Sequence, residues 1–275
     1  MDVNIICDSK IGQVRVGSCH WVNGKRVDPS YPGFTKIVCL TQSSEYGMLG
    51  PYCLTIKKKF SDGVVREVIF ENWFQFSKVY QHVPEVAEIR SRFDRTVIWR
   101  WPSETHCTLV PNQDKTQNIS TWKIEPAYLK WREAGMLVSD PIRYPVGKAN
   151  THKCLFALKE DENGIINPKM LTYVESRKEI YMKEYCKLVR QHPVFEALRT
   201  RLLNGENLLI VEVDCCQERS LNYYLQTYAK SHNIQEDFID QGTMLVTPTN
   251  IDIMLNDTKE RFGHGYCLGY TLAFE

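Results

Sequence analysis

The sequence predicts an α+β fold in a single domain over residues 1–275, rich in helices and with a small, largely antiparallel sheet in its N-terminal part. Two apolar runs, at 52–59 and 64–70, are joined across Ser61-Asp62-Gly63, a sequence typical of a short hairpin turn. Helical periodicity dominates the later part of the chain. No proline- or glycine-rich linker divides it, which favours one domain.

The helices are predicted from start and stop signals. Pro84 and Pro126 each stand where a helix can begin. The longest helix is predicted from about Met170 to Gln191, with its start at Asn167-Pro168. The remaining predictions are a helix from Pro193 to Asn204-Gly205, a buried strand at Leu208–Val213, helices at 219–231 and 249–261, and a surface loop at 108–120.

Composition limits the function classes. Lys and Arg number 34 against 33 Asp and Glu, so the chain has no net field that would gather nucleic acid or an anionic membrane. We therefore expect no membrane partner, and nucleic acid is the less favoured kind of ligand. Ten scattered cysteines and the absence of a signal-peptide pattern favour reduced thiols in the cytoplasm. Cysteine and histidine spacing does not favour a metal site.

One candidate site lies in residues 70–82. If these residues are wound as a helix, Glu71, Gln75, Lys78 and His82 form one polar stripe, while aromatic side chains cover most of the rest. A solvent-facing stripe is the commoner explanation for such a pattern. The alternative is one wall of a cleft that offers a carboxylate, an amide and an ammonium to a sugar or nucleotide.

Two further candidates involve arginine. On the predicted long helix, Arg177 shares a face with Tyr173 and Tyr181, so it can stack on them and still present its guanidinium to a phosphate. An arginine extending from an amphipathic helix toward solvent is the more common case. Arg143 lies in a loop dense in arginine, aromatic and turn-forming residues, which is typical of ligand-binding loops and also of packed corners.

At these positions the chain resembles the NADAR family of N-glycosidases. The family's glutamate, aromatic residues and lysine correspond to Glu71 through Lys78. Residues 181–213 resemble the family's helix, turn and strand, and Phe262 to Gly269 resembles its closing glycine-rich motif without the usual tryptophan and asparagine. The likeness covers about half of the chain, in scattered pieces.

The resemblance implies hydrolysis of an N-glycosidic bond in an ADP-ribose-like nucleotide or a riboflavin-pathway intermediate, with no cofactor and no metal. It implies that Glu71 is the catalytic carboxylate, because cleavage develops positive charge on the ribose. Glu212 or Asp214 would supply a second carboxylate, and Asp257 is another candidate for the family's aspartate. The substrate-binding residues expected on this basis are Trp73, Gln75, Lys78, Arg143, Arg177 and His264.

Two other functions fit the same residues. A protein that binds ADP-ribose or a related nucleotide without cleaving it would keep the pocket and lose the chemistry. A protein-interaction module would use the aromatic stripes as core or interface.

Overall fold

The fold was obtained as a computed structural model that describes residues 11–40, 44–83, 86–89, 97–110, 121–161 and 163–275. The predicted helix start at Pro84 and most of the predicted loop at 108–120 lie outside these residues. The chain divides into two compact units. Unit 1 comprises residues 1–50 and 182–275, and unit 2 comprises residues 51–181.

Unit 1 is built on a four-stranded mixed sheet. Its central strands, Val14–Ser18 (β1) and Asn207–Glu212 (β16), run parallel, and both consist almost entirely of buried residues. Phe34–Val38 (β4) joins β16 in parallel, and Thr243–Leu245 (β17) joins β1 antiparallel. A separate hairpin pairs His20–Val22 (β2) with Lys25–Val27 (β3).

Among the described residues of unit 1, five α-helices accompany the sheet: Lys183–Val189 (α4), Pro193–Leu203 (α5), Leu221–His232 (α6), Pro248–Asn256 (α7) and His264–Phe274 (α8). Pro193 and Pro248 each occupy the first helical turn, where the missing N–H is not needed. Helix α8 packs on β1 and β16, and it comes close because Gly269 faces Val16 and Val246.

Unit 2 contains small antiparallel sheets. Thr55–Lys59 (β5) and Val65–Ile69 (β6) form the predicted hairpin, with Gly63 at a φ of +80° in its turn. Cys154–Glu160 (β14) lies between Lys78–Tyr80 (β7) and Ile166–Leu171 (β15). The other pairs are His82–Val83 (β8) with Glu104–Thr105 (β11), Val86–Ile89 (β9) with Val97–Arg100 (β10), and Cys107–Val110 (β12) with Thr121–Ile124 (β13).

Helices of unit 2 are Phe70–Gln75 (α1), Pro126–Met136 (α2) and Tyr173–Ser176 (α3). A π-helical segment, Arg177–Met182, follows α3. Helix α2 packs on the aromatic core of the unit, where Trp131 lies with its ring centroid 4.6 Å from that of Phe76. None of the helices in the described part of the chain is long and apolar enough to cross a membrane.

The structure bears out an α+β fold and corrects five local predictions. The helix predicted at 249–261 ends at Asn256, and the first residues of the loop predicted at 108–120 belong to the strand Cys107–Val110. The helix predicted for residues 70–82 ends at Gln75, because Lys78–Tyr80 pairs with β14. The helix predicted from Met170 begins at Tyr173, because residues 166–171 form a strand. The strands of the N-terminal part do not form one antiparallel sheet, since β1 and β4 each pair in parallel with β16.

Candidate functional site

Helix α1 carries the first candidate site, in unit 2. Its first two N–H groups donate to the carbonyl oxygens of Leu54 and Pro51, at 2.9 Å each, so the helix begins without a side-chain cap. Within the helix, Gln75 Nε2 donates to Glu71 Oε1 at 2.7 Å. Lys78 lies on the next strand, and its Nζ donates to Gln75 Oε1 at 2.8 Å. The predicted polar stripe therefore exists as a hydrogen-bonded chain, although only two of its members are helical.

The electrostatic setting of this chain is unusual for polar side chains. Glu71 is only 7% exposed, and Gln75 and Lys78 are half-buried. Burial lowers the pKa of Lys78, while the nearby Cys154 and Glu71 act in the opposite direction. The Lys78 ammonium also lies 4.6 Å from the ring centroid of Phe74, a cation–π distance. A carboxylate, an amide and an ammonium thus lie in series, each within hydrogen-bond distance of the next, with little exposure to solvent.

The fourth predicted member of the stripe lies elsewhere. His82 is exposed on β8, where its Nε2 is 2.7 Å from Ser103 Oγ. The stripe prediction was wrong at this position because the backbone changes from helix to strand after residue 75.

Trp73 is directed into the core of unit 2. It is 3% exposed, and its Nε1 donates to Glu160 Oε1 at 2.7 Å. Its ring packs 5.8 Å from that of Phe70. In this conformation the indole has no face available to stack on a nucleotide base, although the resemblance to the NADAR family implies a substrate-binding role for Trp73.

Asn72 organises the loop that leads to Arg143. Its side-chain Nδ2 donates to the carbonyl oxygens of Val138 and Asp140, at 2.9 and 3.0 Å. Its Oδ1 accepts the backbone N–H of Ile142 at 2.6 Å. This fully buried amide thus fixes the main chain just before Arg143, whose guanidinium lies 5.5 Å from the ring centroid of Tyr144.

Arg177 begins the π-helical segment and is 3% exposed. Its guanidinium donates to Tyr173 Oη at 2.8 Å and lies 4.2 Å from the Tyr173 ring centroid. The predicted tyrosine–arginine pair is therefore present. The neighbouring Tyr181 ring packs 4.7 Å from Phe74 on α1, so the π-helical segment and α1 are joined through aromatic side chains.

The second candidate cluster belongs to unit 1, at the end of β16. Glu212 and His264 are both buried, with His264 Nδ1 3.7 Å from Glu212 Oε1. His264 Nε2 lies 2.9 Å from the Cys39 carbonyl oxygen, which can only accept, so Nε2 carries a proton. Burial lowers the pKa of His264 to about 4, while its hydrogen bond to the Cys39 carbonyl and the charge of Asp214 act in the opposite direction. At 3.7 Å the two groups are close enough to interact electrostatically but are not hydrogen-bonded to each other.

The glycines of the C-terminal motif make room for this pair. A Cβ at Gly263 would lie 2.1 Å from Glu212 Oε2, and one at Gly265 would lie 2.7 Å from Cys215 Sγ. This motif is predicted by resemblance, and the structure supplies a steric reason for both glycines.

The two aspartates considered as partners have structural contacts. Asp214 is half-buried, its backbone N–H donates to Glu212 Oε2 at 2.9 Å, and its carboxylate pairs with Arg261 at 2.9 Å. Asp257 accepts the hydroxyls of Tyr223 and Tyr228 and the N–H groups of residues 259 and 260. Those bonds lower the pKa of Asp257 although burial opposes them.

Sequence reasoning missed a buried ion cluster in unit 2. Glu160 Oε2 accepts from Lys58 Nζ at 2.8 Å and from the Arg132 guanidinium at 3.0 Å. All three side chains are at most 6% exposed. The partners are separated by 102 and 28 residues along the chain, and Lys58 stands in a run of three lysines that looks like a solvated strand face.

Within the described ranges, no three histidine, cysteine or acidic side chains come together as ligands for a metal ion. The nine cysteines that the structure describes are free thiols. Comparison with protein-family models, curated proteins and solved structures gives no match to this chain. The likeness to the NADAR family therefore stays a prediction.

Proposed function

We propose that the chain is an N-glycosidase that hydrolyses the N-glycosidic bond of a ribose-containing nucleotide, with a NADAR-like fold and no cofactor. The observation that supports this most is the buried Glu71 carboxylate, oriented by Gln75 and linked through it to Lys78. A carboxylate held in a site of low solvent content interacts more strongly with a developing positive charge than it would in water.

In the proposed reaction, water oxygen bonds to the anomeric carbon of the ribose and the carbon–nitrogen bond breaks. Glu71 stabilises the positive charge that develops on the sugar and takes a proton from the water. The proton taken up by Glu71 then passes to the leaving nitrogen, directly or through solvent, and Glu71 returns to its carboxylate form. Lys78 holds a phosphate or a ribose hydroxyl, and Arg143 and Arg177 are proposed phosphate contacts.

Four expected residues have a different standing. Glu212, Asp214 and His264 belong to unit 1, where Glu212 or Asp214 stays a predicted second carboxylate and His264 a predicted substrate contact, and the proposed reaction assigns no step to them. Trp73 has no part in base stacking in the proposal, because its indole N–H is bound to Glu160.

Nucleotide binding without hydrolysis is the second candidate. The observation that favours it is that Glu71 Oε1 is already occupied by the Gln75 amide. A carboxylate held in this hydrogen bond can bind a ribose hydroxyl of the intact nucleotide as strongly as it stabilises a transition state, and such uniform binding gives affinity without catalysis.

The experiment compares Glu71→Gln and Lys78→Ala with the exposed controls Glu67→Gln and Lys57→Ala. Substrates are ADP-ribose, NAD and ribosylated riboflavin-pathway intermediates, with product release followed by chromatography and binding by calorimetry. Glu71→Gln is expected to lower the rate by about 10²–10⁴-fold and keep binding measurable. Lys78→Ala is expected to weaken binding first.

The possible results of this experiment distinguish catalysis, binding without catalysis, and neither. Wild-type turnover by Glu71→Gln assigns Glu71 a structural role and contradicts the proposed catalysis. Binding of ADP-ribose with no cleavage of any substrate supports the second candidate. No cleavage and no rise in melting temperature with any of these nucleotides contradicts both, since a ligand of the native state raises its stability.

A further inference from the structure

Unit 2 contains a pocket of about 660 Å³ whose lining does not include Glu71, Gln75 or Lys78. Its volume falls in the range of small-molecule sites, about 300–1,000 Å³. Much of its wall is apolar, formed by Phe60, Trp122, Ile124, Leu158, Ile166 and Met170. Such a wall suits the hydrocarbon part of a ligand.

The polar part of the same wall is the ion cluster of Lys58, Arg132 and Glu160. Two cations share one buried carboxylate, so the cluster carries an excess of one positive charge. Lys58 Nζ has two acceptors among the described residues, Glu160 Oε2 at 2.8 Å and the Lys59 carbonyl oxygen at 3.4 Å, for its three N–H groups. Arg132 Nε is buried with no hydrogen-bond partner in the described part of the chain.

The remaining charged groups of the pocket do not cancel this excess. Lys59 and Lys130 are exposed, and Glu133 accepts the N–H and hydroxyl of Ser61 at 2.8 and 2.6 Å. The pocket as a whole is lined by four basic and two acidic side chains. A buried positive charge beside an apolar cavity is stabilised by an anion that brings its own apolar surface.

We propose that this pocket binds a small monocarboxylate with an apolar body, its carboxylate at the Lys58–Arg132–Glu160 cluster. Lys58 Nζ is the donor to the ligand and keeps its hydrogen bond to Glu160 Oε2. The apolar wall takes the body of the ligand. The proposal concerns a site separate from that of the glycosidase and stands whether or not glycoside hydrolysis is found.

The test uses three probes of equal chain length, octanoate, 1-octanol and octylammonium, with calorimetry on the full chain. Octanoate is expected to bind about 10- to 100-fold more tightly than octanol, the ratio given by one hydrogen bond to a charged group. Octylammonium is expected to bind more weakly than octanol. Equal affinity of octanoate and octanol, tighter binding of octylammonium, or no saturable binding of octanoate overturns the proposal.

Two substitutions in the cluster have opposite expected effects. Lys58→Met keeps the length of the side chain and is expected to remove most of the octanoate preference. Glu160→Gln keeps the acceptor for Trp73 and removes the competing charge, so octanoate affinity is expected to rise several-fold. Lys130→Met, which removes an exposed charge from the same pocket, is the control and is expected to change affinity by less than about threefold.

A third variant keeps the test decisive if the cluster variants do not fold. Ile166→Trp narrows the pocket from a half-buried strand position and leaves every charge in place. It is expected to weaken octanoate binding at an unchanged melting temperature. Octanoate binding of wild-type strength in this folded variant would place the ligand elsewhere and overturn the proposal.

Discussion

The free energy of unfolding should fall as the pH is lowered from 7 to 4, in part because of His106. This side chain is fully buried in unit 2, with its ring 4.9 Å from that of Trp131 and 5.7 Å from that of Tyr128. Neither ring nitrogen has a hydrogen-bond partner among the residues that the structure describes. Burial, with a smaller effect of His82, lowers the pKa of His106 to about 4.

The magnitude follows from proton linkage. The unfolded chain protonates this imidazole below pH 6.5, whereas the native state resists protonation until about pH 4. Between these values the unfolded state binds more protons, so stability rises with pH and falls on acidification. At 1.36 kcal/mol per pKa unit the full effect is about 3 kcal/mol, of which about 2 kcal/mol is lost by pH 5.

The assay is urea denaturation of the wild type and of His106→Leu at pH 8, 6 and 5. His106→Leu removes the titrating group and replaces it with an apolar side chain of similar volume. The variant is expected to lose about 2 kcal/mol less than the wild type between pH 8 and pH 5. His152→Leu, at an exposed position of the same unit, is the control and should follow the wild type. Parallel pH profiles for wild type and His106→Leu would refute a neutral buried His106.

Three further predictions concern unit 2 and are measured by the same denaturation. Trp73→Phe should lower the free energy of unfolding by about 1–3 kcal/mol, because it leaves a buried oxygen of Glu160 without its donor; a loss below about 0.5 kcal/mol would contradict the contact. Gly135→Ala should lower the free energy of unfolding by about 1–3 kcal/mol, because the new Cβ would lie 1.9 Å from a ring carbon of Phe76. At a helix position without such a clash, the same substitution would raise the free energy of unfolding by up to about 1 kcal/mol. Thr172→Ala should cost about 1 kcal/mol by removing the capping box of α3, and Thr172→Ser should restore most of it.

Local sequence signals correctly predicted the elements whose ends are determined by turn or cap residues close by in the sequence. The hairpin at 55–69 follows from Ser61-Asp62-Gly63, because the turn needs a glycine at positive φ. Helix α5 lies where Pro193 and Asn204-Gly205 placed it, and Gly205 has a φ of +91°. The strand predicted at 208–213 begins and ends one residue later than the observed strand β16.

The wrong predictions are those that tertiary pairing decides. The polar residues of 70–82 recur at helical spacing and predict a helix over the whole segment. Val79 and Tyr80 have high strand propensity, however, and they pair with β14. The start of the long helix was misplaced because Pro168 was read as a helix start, whereas it lies within a strand. Thr172 and Glu175, spaced as a capping box, were the local signal for the true start.

The candidate site was predictable only where its members are close in sequence. Glu71, Gln75 and Lys78 fall within eight residues, so their spacing alone brought them together. No spacing argument reaches a cluster whose members come from a hairpin strand, a helix and a later strand, as with Lys58, Arg132 and Glu160. A buried charge is invisible in a single sequence, because its burial is a property of the packed elements around it.

That buried cluster allows stability and binding to be separated by one variant. Burying an ion pair costs desolvation free energy, and apolar residues of similar volume often stabilise a core equally well or better. If Lys58 serves the fold alone, Lys58→Met lowers stability by about 3–5 kcal/mol, because Glu160 loses a partner. If the contacts from Arg132 and the Trp73 N–H are enough to stabilise the buried Glu160 carboxylate, Lys58→Met leaves the free energy of unfolding nearly unchanged while octanoate affinity falls. The second result would show that the extra cation is retained for a ligand, since the core itself does not need it.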